Sequence, residues 1–149
     1  MPTFYQIYYH VIFTTSRRCP VLLSAGRERL FKFIWGIIKN RDCHLYRING
    51  MEDHIHIFTA LHPKICLANL MRDIKAGSSK WIREENLFPD FEAWQDGYGA
   101  FTHSQADKDR LIEYVKNQQE HHARLSFEEE WRGLLAEAGI EINDRIPSG

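Results

Sequence analysis

The alternation of apolar and polar residues predicts strands and amphipathic helices over the first 61 residues. Segment 4–15 is rich in aromatic and β-branched residues, so it predicts a long first strand. Apolar residues at helical spacing over 25–41 predict a first amphipathic helix. Segments 43–49 and 54–61 are joined by a short turn and predict an antiparallel hairpin.

The rest of the chain predicts one more strand and three more helices. A helical period follows Pro63-Lys64 and continues to Trp81. Segment 91–102 predicts an aromatic strand interrupted by two glycines, which indicate a bulge or a close backbone approach. Ser104 to Asp107 form a capping box, so a third helix should run from near Gln105 to about Arg124. A short helix over 129–138 should end at Gly139.

The order of these elements predicts an α+β fold. A βαββαβ order forms one four-stranded antiparallel sheet with two helices on one face, the ferredoxin-like arrangement. The third helix is additional to that plan. In the ferredoxin-like sheet, the second strand of the hairpin is a central strand. We expect a single domain over 1–149, with a core over 1–125 and a C-terminal tail over 126–149.

Composition places the chain among globular proteins of the cytoplasm. Its 149 residues are 44% hydrophobic and 13% aromatic, enough to bury a core. The three cysteines are widely spaced and predict reduced thiols, and neither an export signal nor a membrane span is indicated. The net charge of −1 gives no global sign of a nucleic-acid partner, so any such binding requires a local basic patch.

Two groups of basic residues are candidates for DNA contact. Arg17 and Arg18 follow the first strand, and four residues lie on the polar side of the second helix: Arg72, Lys75, Lys80 and Arg83. The small residues Gly77-Ser78-Ser79 would let a phosphate backbone approach. Acidic residues lie beside the four basic residues of the second helix and reduce the local positive charge. A solvated helix face therefore explains this group equally well.

Two histidines on the predicted central strand are candidate metal ligands. Alternate side chains of a strand share a face, so His54 and His56 lie together while Ile55 and Ile57 face the core. Two imidazoles on a rigid strand make half of a divalent metal site. A chance pair of sheet histidines would give the same pattern.

The third helix carries a possible nucleophile and a possible further ligand. Tyr114 and Gln118 are four residues apart and share a helix face. A Tyr114 phenolate could attack phosphorus in line, and the Gln118 amide oxygen could help to hold a metal ion that binds and orients the phosphate. A half-buried helix aromatic and a surface amide would show the same spacing.

The His54-Ile55-His56 motif resembles the histidine–apolar–histidine motif of single-tyrosine HUH nucleases. Most of the chain resembles the small tyrosine transposases of bacterial insertion sequences, including the REP-associated group. Segments 94–101 and 117–122, Trp-Gln-Asp-Gly-Tyr-Gly-Ala-Phe and Asn-Gln-Gln-Glu-His-His, are typical of one branch of that family.

This resemblance implies a specific DNA chemistry. Tyr114 would be catalytic, and His54, His56 and Gln118 would hold Mg²⁺ or Mn²⁺. The enzyme would cut and rejoin hairpin-marked single-stranded DNA by metal-assisted transesterification through a 5′-phosphotyrosine intermediate. It would act as a homodimer whose active sites are shared between protomers, with the histidines from one and the tyrosine from the other.

Two other functions remain open at this point. One is a domesticated nucleic-acid-binding module of ferredoxin-like fold that no longer cleaves. The other is a metal-dependent phosphodiesterase that uses water on small molecules. The resemblance leaves His103, His121 and His122 without a role, although His121 lies three residues past Gln118 and could be an alternate ligand.

Overall fold

A computed structural model of the chain describes residues 1–141. The strands are β1 (Tyr8–Thr14), β2 (His44–Gly50), β3 (His54–Ala60) and β4 (Gly99–His103). The helices are α1 (Ser24–Asn40), α2 (Leu67–Glu85), α3 (Lys108–Lys116), α4 (Gln118–His122) and α5 (Phe127–Glu137). Single 3₁₀ turns cover Ser16–Arg18 and Gln105–Asp107.

The four strands form one antiparallel sheet in the order β2-β3-β1-β4. This order confirms the predicted ferredoxin-like fold and the central position of β3. The pairing places Ile12 of β1 opposite His56 of β3. Side chains of directly opposed residues point to the same face of a sheet, so Ile12 and His56 share a face.

The two faces of the sheet carry different helices. Alternate residues of β1 and β3 pack against α1 and α2 and form the main core, which includes Val11, Phe13, Ile55 and Ile57. The intervening residues face α3 and α5 in two smaller apolar clusters, around Phe58 with Leu111 and around Ile12 with Leu135. The sheet therefore separates a structural layer from the layer that carries the histidines.

Two predicted strands are shorter in the structure. β1 begins at Tyr8 and not at residue 4, and β4 begins at Gly99 and not at residue 91. Trp94 packs edge-on against Phe13 at a ring distance of 4.9 Å. Its backbone pairs with Thr15 in an isolated bridge and does not extend β4. The aromatic residues before β4 therefore serve the main core, which the composition of the segment did not distinguish from a strand.

The predicted third helix is interrupted at Asn117. The backbone of this residue (φ −96°, ψ 24°) leaves the helical region, so α3 ends and the short α4 begins. The capping box predicted at Ser104 is also wrong, because the Ser104 side chain makes no cap to the backbone. A capping box instead begins α5, where Ser126 and Glu129 bond each other's backbone N–H.

Two of the three small residues of α2 pack closely against other parts of the protein. Ser78 is buried, donates to the Ile74 carbonyl oxygen and accepts from Trp94 Nε1 at 2.9 Å. A Cβ atom on Gly77 would lie 3.1 Å from Ile37 of α1. Gly77 is therefore small where α1 and α2 approach closely, and Ser78 is bonded within the protein. Approach of a phosphate backbone to Gly77-Ser78-Ser79 stays a prediction. Within residues 1–141, no helix has both the length and the apolar character needed to cross a bilayer.

Candidate active site

Strand β3 places the two histidines side by side under the C-terminal helices. His54 and His56 face the α3 and α5 layer and are 1% and 0% exposed, while Ile55 and Ile57 lie in the main core. The shared face predicted from the alternation is confirmed. The rings are covered by helices, as the central position of the strand required.

Each histidine is oriented by a hydrogen bond from its Nδ1 atom. His54 Nδ1 donates to Asp53 Oδ1 at 2.7 Å, and His56 Nδ1 lies 2.9 Å from His10 Nε2. Burial opposes ionisation of Asp53, but the hydrogen bond from His54 and the electrostatic interactions with His54 and Arg18 together outweigh it and lower the pKa of this carboxyl. The Nε2 atoms of both histidines therefore turn toward the same small volume, as in metal sites whose ligands are held by outer partners.

Gln118 contributes its amide oxygen to that volume. Its side chain is fully buried, and Oε1 lies 3.5 Å from His54 Nε2. The amide nitrogen donates in the opposite direction, to Glu130 Oε2 at 3.1 Å. The orientation of the amide thus presents an oxygen, and not an N–H, to the histidines.

The structure adds two residues that the sequence analysis did not assign. The ligand atoms of His54, His56, His122 and Glu130 all lie within 4.8 Å of one another. His122 follows Gln118 by four residues, a helical spacing that could have identified it. Glu130 is three residues from Phe127 and four from Leu134, so it is an acidic residue inside the apolar stripe of α5.

The donor set of this cluster fits a divalent cation. Imidazole nitrogens combined with carboxylate and amide oxygens suit transition-metal ions such as Mn²⁺. Burial opposes ionisation of Glu130, but hydrogen bonds from His56, Tyr114 and Gln118 outweigh it and lower the pKa of Glu130. Burial also lowers the pKa of His56 to about 4. At neutral pH Glu130 is therefore a carboxylate and His56 a neutral imidazole, the protonation states in which these groups bind metals.

Tyr114 reaches the cluster from α3. Its hydroxyl donates to Glu130 Oε2, and its ring lies 5.9 Å from that of His56. Burial and the neighbouring Glu130 carboxylate both raise the pKa of Tyr114. The phenol is thus protonated and held by a hydrogen bond at the edge of the histidine cluster.

His121 does not join the ligand atoms. Its ring packs at a tilt on the ring of Tyr114, 4.7 Å between centroids, and His122 takes the place in the cluster that was suggested for His121. His103, on β4, places Nδ1 3.5 Å from Asp107 and lies outside the cluster.

A family model described as "Transposase IS200 like" matches residues 3–118. The chain belongs to the IS200-like transposase family. The match spans β1 to Gln118 and includes both strand histidines and Tyr114. No protein of curated function matches the sequence of this transposase.

Two solved structures share the fold of this transposase. A candidate transposase of Deinococcus radiodurans R1 is similar with a TM-score of 0.63 and 20% identity, over 79% of this chain and 95% of that one. A REP-associated tyrosine transposase bound to a REP hairpin has a TM-score of 0.59 and 14% identity, over 100% of this chain and 95% of that one.

The basic residues of α2 lie away from the cluster. Helix α2 packs on the opposite face of the sheet from His54 and His56. Arg72 and Lys80 are exposed beside acidic neighbours in α2, whereas Lys75 and Arg83 donate to backbone carbonyls of the segment before β4. The transposase does not bring this group to the histidines.

The two arginines after β1 are closer to the site. The Arg18 guanidinium lies 5.3 Å from the centre of the Phe127 ring, which itself packs 4.6 Å from the ring of His54. Arg17 forms an exposed ion pair with Glu92 at 2.8 Å. Arg18 is therefore the predicted DNA-contacting residue that borders the cluster.

The structure assembles the cluster and the tyrosine within one chain. Tyr114 contacts Glu130 and His56 of its own protomer, which differs from the expected sharing of the site between protomers. The turn and short helix after α3 let the chain fold back on its own sheet, where Asn49 Nδ2 donates to the Lys116 carbonyl oxygen at 2.9 Å. Formation of a homodimer stays a prediction.

Proposed function

We propose that this transposase cleaves and rejoins hairpin-marked single-stranded DNA through a 5′-phosphotyrosine on Tyr114. The observation that carries the proposal is the position of Glu130. One oxygen of this carboxylate accepts from Tyr114 and the other lies 3.1 Å from His56 Nε2, so nucleophile and ligand cluster meet at one group. A phosphate bound at this point would contact both.

The chain's own residues supply the parts of a transesterification. The Tyr114 oxygen would attack phosphorus, and the bond from phosphorus to the 3′ oxygen of the preceding nucleotide would break. Glu130 Oε2 is the acceptor placed to take the phenol proton, and the departing 3′ oxygen takes up a proton from water to become a hydroxyl. Because the phosphotyrosine retains a phosphodiester bond, a second 3′-OH can reverse the step without an external energy source.

His54, His56 and Gln118 would hold a divalent cation, Mg²⁺ or Mn²⁺, and His122 and Glu130 offer further donor atoms. Such an ion, when bound, supplies polarisation of the scissile phosphate. The hydrogen bonds of His54 to Asp53 and of His56 to His10 fix both rings for this role.

A hairpin in single-stranded DNA is the partner we propose. The REP-associated relative is bound to a REP hairpin, and this chain has the same fold. Arg18 lies at the border of the site, and it would contact the phosphate backbone there together with the neighbouring Arg17. Arg72, Lys75, Lys80 and Arg83 would act only if the DNA also reached the opposite face of the sheet.

A His56→Ala variant tests the role of the ligand cluster. The transposase is incubated with Mn²⁺ and single-stranded DNA from beside its own gene, and a denaturing gel separates the covalent protein–DNA species. We expect His56→Ala to abolish the adduct while hairpin binding, measured on a native gel, survives. A non-cleaving nucleic-acid-binding module would bind the hairpin and form no adduct even as wild type.

The matched control is His44→Ala. His44 is an exposed histidine of β2 outside the cluster, so its removal should leave adduct formation unchanged. Circular dichroism confirms that both variants fold. Undiminished cleavage by folded His56→Ala would remove the metal site from the mechanism.

A further inference from the structure

A cavity of about 470 Å³ lies on the other side of Tyr114 from the ligand cluster, between β4, α3 and the end of α5. Its wall includes His10, Phe101, His103, Arg110, Tyr114 and Ala138. We propose that this cavity binds one unpaired nucleobase of the DNA strand, next to the phosphate that Tyr114 attacks. This inference rests on the proposed function, because that function places DNA at Tyr114.

The size and the rings of the cavity suit a nucleobase. Its volume lies in the range of small-molecule sites, which hold a planar ring with part of its sugar. The ring of His10 packs at an angle on those of Phe101, His103 and Tyr114, at 6.1, 6.4 and 5.7 Å between centroids, so these rings form one aromatic wall of the cavity. Stacking on aromatic side chains is the usual way that proteins hold unpaired bases.

His10 gives the cavity an unused polar atom. The residue is 0% exposed, and its Nε2 is occupied by His56 Nδ1 at 2.9 Å. Its Nδ1 is buried without a hydrogen-bond partner among the residues that the structure describes. A buried polar atom is normally paired, so this atom indicates a missing ligand group. A base edge carries both donors and acceptors and could pair with Nδ1 in either tautomer of His10. Because Nδ1 is closed to solvent, this bond requires a small movement of the cavity wall.

The charges at the cavity indicate a neutral ligand with hydrogen-bond donors. Arg110 lies between two carboxylates, at 3.5 Å from Asp107 and 3.8 Å from Glu137. One cation against two carboxylates disfavours a phosphate inside the cavity. The carboxylates can accept from the exocyclic amino group of cytosine, adenine or guanine, which thymine lacks. The cavity should therefore prefer amino-bearing bases.

Binding of mononucleotides to the metal-free transposase tests this inference without any cleavage. The protein is labelled with ¹⁵N and titrated in EDTA with dCMP, dTMP or deoxyribose 5-phosphate. We expect dCMP to shift the backbone amides of residues 100–103 and the His10 ring nitrogens, with dTMP at least fivefold weaker. Deoxyribose 5-phosphate should shift none of them. Equal shifts from all three would show a phosphate site and overturn the inference.

Two tryptophan substitutions on α5 and at its end form a matched pair. Ala138→Trp would fill the mouth of the cavity, whereas Ala136→Trp is exposed on the same helix and does not line it. Ala138→Trp should lose the dCMP shifts and Ala136→Trp should keep them. Retention of dCMP binding by folded Ala138→Trp would overturn the inference.

The same variants separate this inference from the proposed function. An abasic residue beside the mapped cleavage position should weaken oligonucleotide binding by wild type and by Ala136→Trp, but not by Ala138→Trp. A Tyr114 adduct together with no nucleotide shifts would overturn the cavity's role alone. Nucleotide shifts at the cavity without any adduct would support the base site and overturn the proposed chemistry.

Discussion

At the scale of single residues, the site depends on one carboxylate with two different environments. Glu130 Oε1 faces His56 and His122 at 3.1 and 3.2 Å, and Oε2 faces Gln118 and Tyr114. Every oxygen lone pair therefore has a polar neighbour, which is what keeps a buried carboxylate ionised. Glu130 thus couples the conformation of the nucleophile to that of the ligand cluster.

The buried histidines predict a loss of stability in mild acid. Burial lowers the pKa of His56 from 6.5 to about 4 and also lowers the pKa of His10. Between these pH values the unfolded chain binds protons that the folded chain does not, so stability falls as the pH decreases through this window. For His56 alone we expect a loss of about 2 kcal/mol between pH 7.5 and pH 5, measured by urea unfolding in EDTA.

Two variants show whether His56 causes this loss. In His56→Gln, the unfolding free energy should decrease less between pH 7.5 and pH 5 than it does in the wild type. His44→Gln, which removes an exposed histidine, should leave it as in wild type. An unfolding free energy of the wild type that does not decrease over this range would contradict the buried neutral state of His56.

At the scale of elements, α5 closes the site by packing on β4. A Cβ atom on Gly99 would lie 2.5 Å from the ring of Trp131, so this glycine permits the close approach of the helix. Gly99→Ala should push α5 outward and destabilise the fold by about 1–3 kcal/mol, the usual cost of overpacking. Because Glu130 is on α5, we also expect faster hydrogen exchange of α5 and weaker Mn²⁺ binding by calorimetry.

Gly133→Ala is the control on the same helix. Among residues 1–141, no atom outside the backbone of α5 itself lies within 4 Å of a Cβ atom at Gly133. This change should instead stabilise the protein by up to about 1 kcal/mol, because alanine has a higher helix propensity than glycine. If Gly99→Ala matched Gly133→Ala in stability and in Mn²⁺ affinity, the docking of α5 would not complete the site.

The sequence correctly predicted the features that depend on residues close together in the chain. The alternation in 54–57 correctly placed the histidines on one face of β3, because residue spacing in a strand fixes the face. The break at Asn117 and the role of Glu130 depend on contacts between elements distant in sequence. Asn117 follows α3 docked on β2, and Glu130 meets His56 across 74 residues of chain. The spacing of apolar and polar residues within one segment gives no information about such contacts.

At the scale of the whole molecule, a single chain brings the ligand cluster and the tyrosine together. His56 and Tyr114 of the same protomer meet at Glu130. Mixing inactive His56→Ala with inactive Tyr114→Phe, under conditions of subunit exchange, should therefore leave cleavage lost. Recovery of activity would instead show that a dimer forms and that its helices exchange, as the resemblance to tyrosine transposases first implied. Subunit exchange is verified separately with differently tagged chains.

The most direct test of the central claim is to locate the covalent bond between protein and DNA. The adduct formed with single-stranded DNA is digested with protease and nuclease, and mass spectrometry identifies the modified peptide. We expect the phosphonucleotide on Tyr114, and we expect Tyr114→Phe to form no adduct while Tyr98→Phe, which alters an exposed tyrosine outside the site, behaves as wild type. An adduct on Tyr98 or any other residue would contradict the assignment of Tyr114 as the nucleophile.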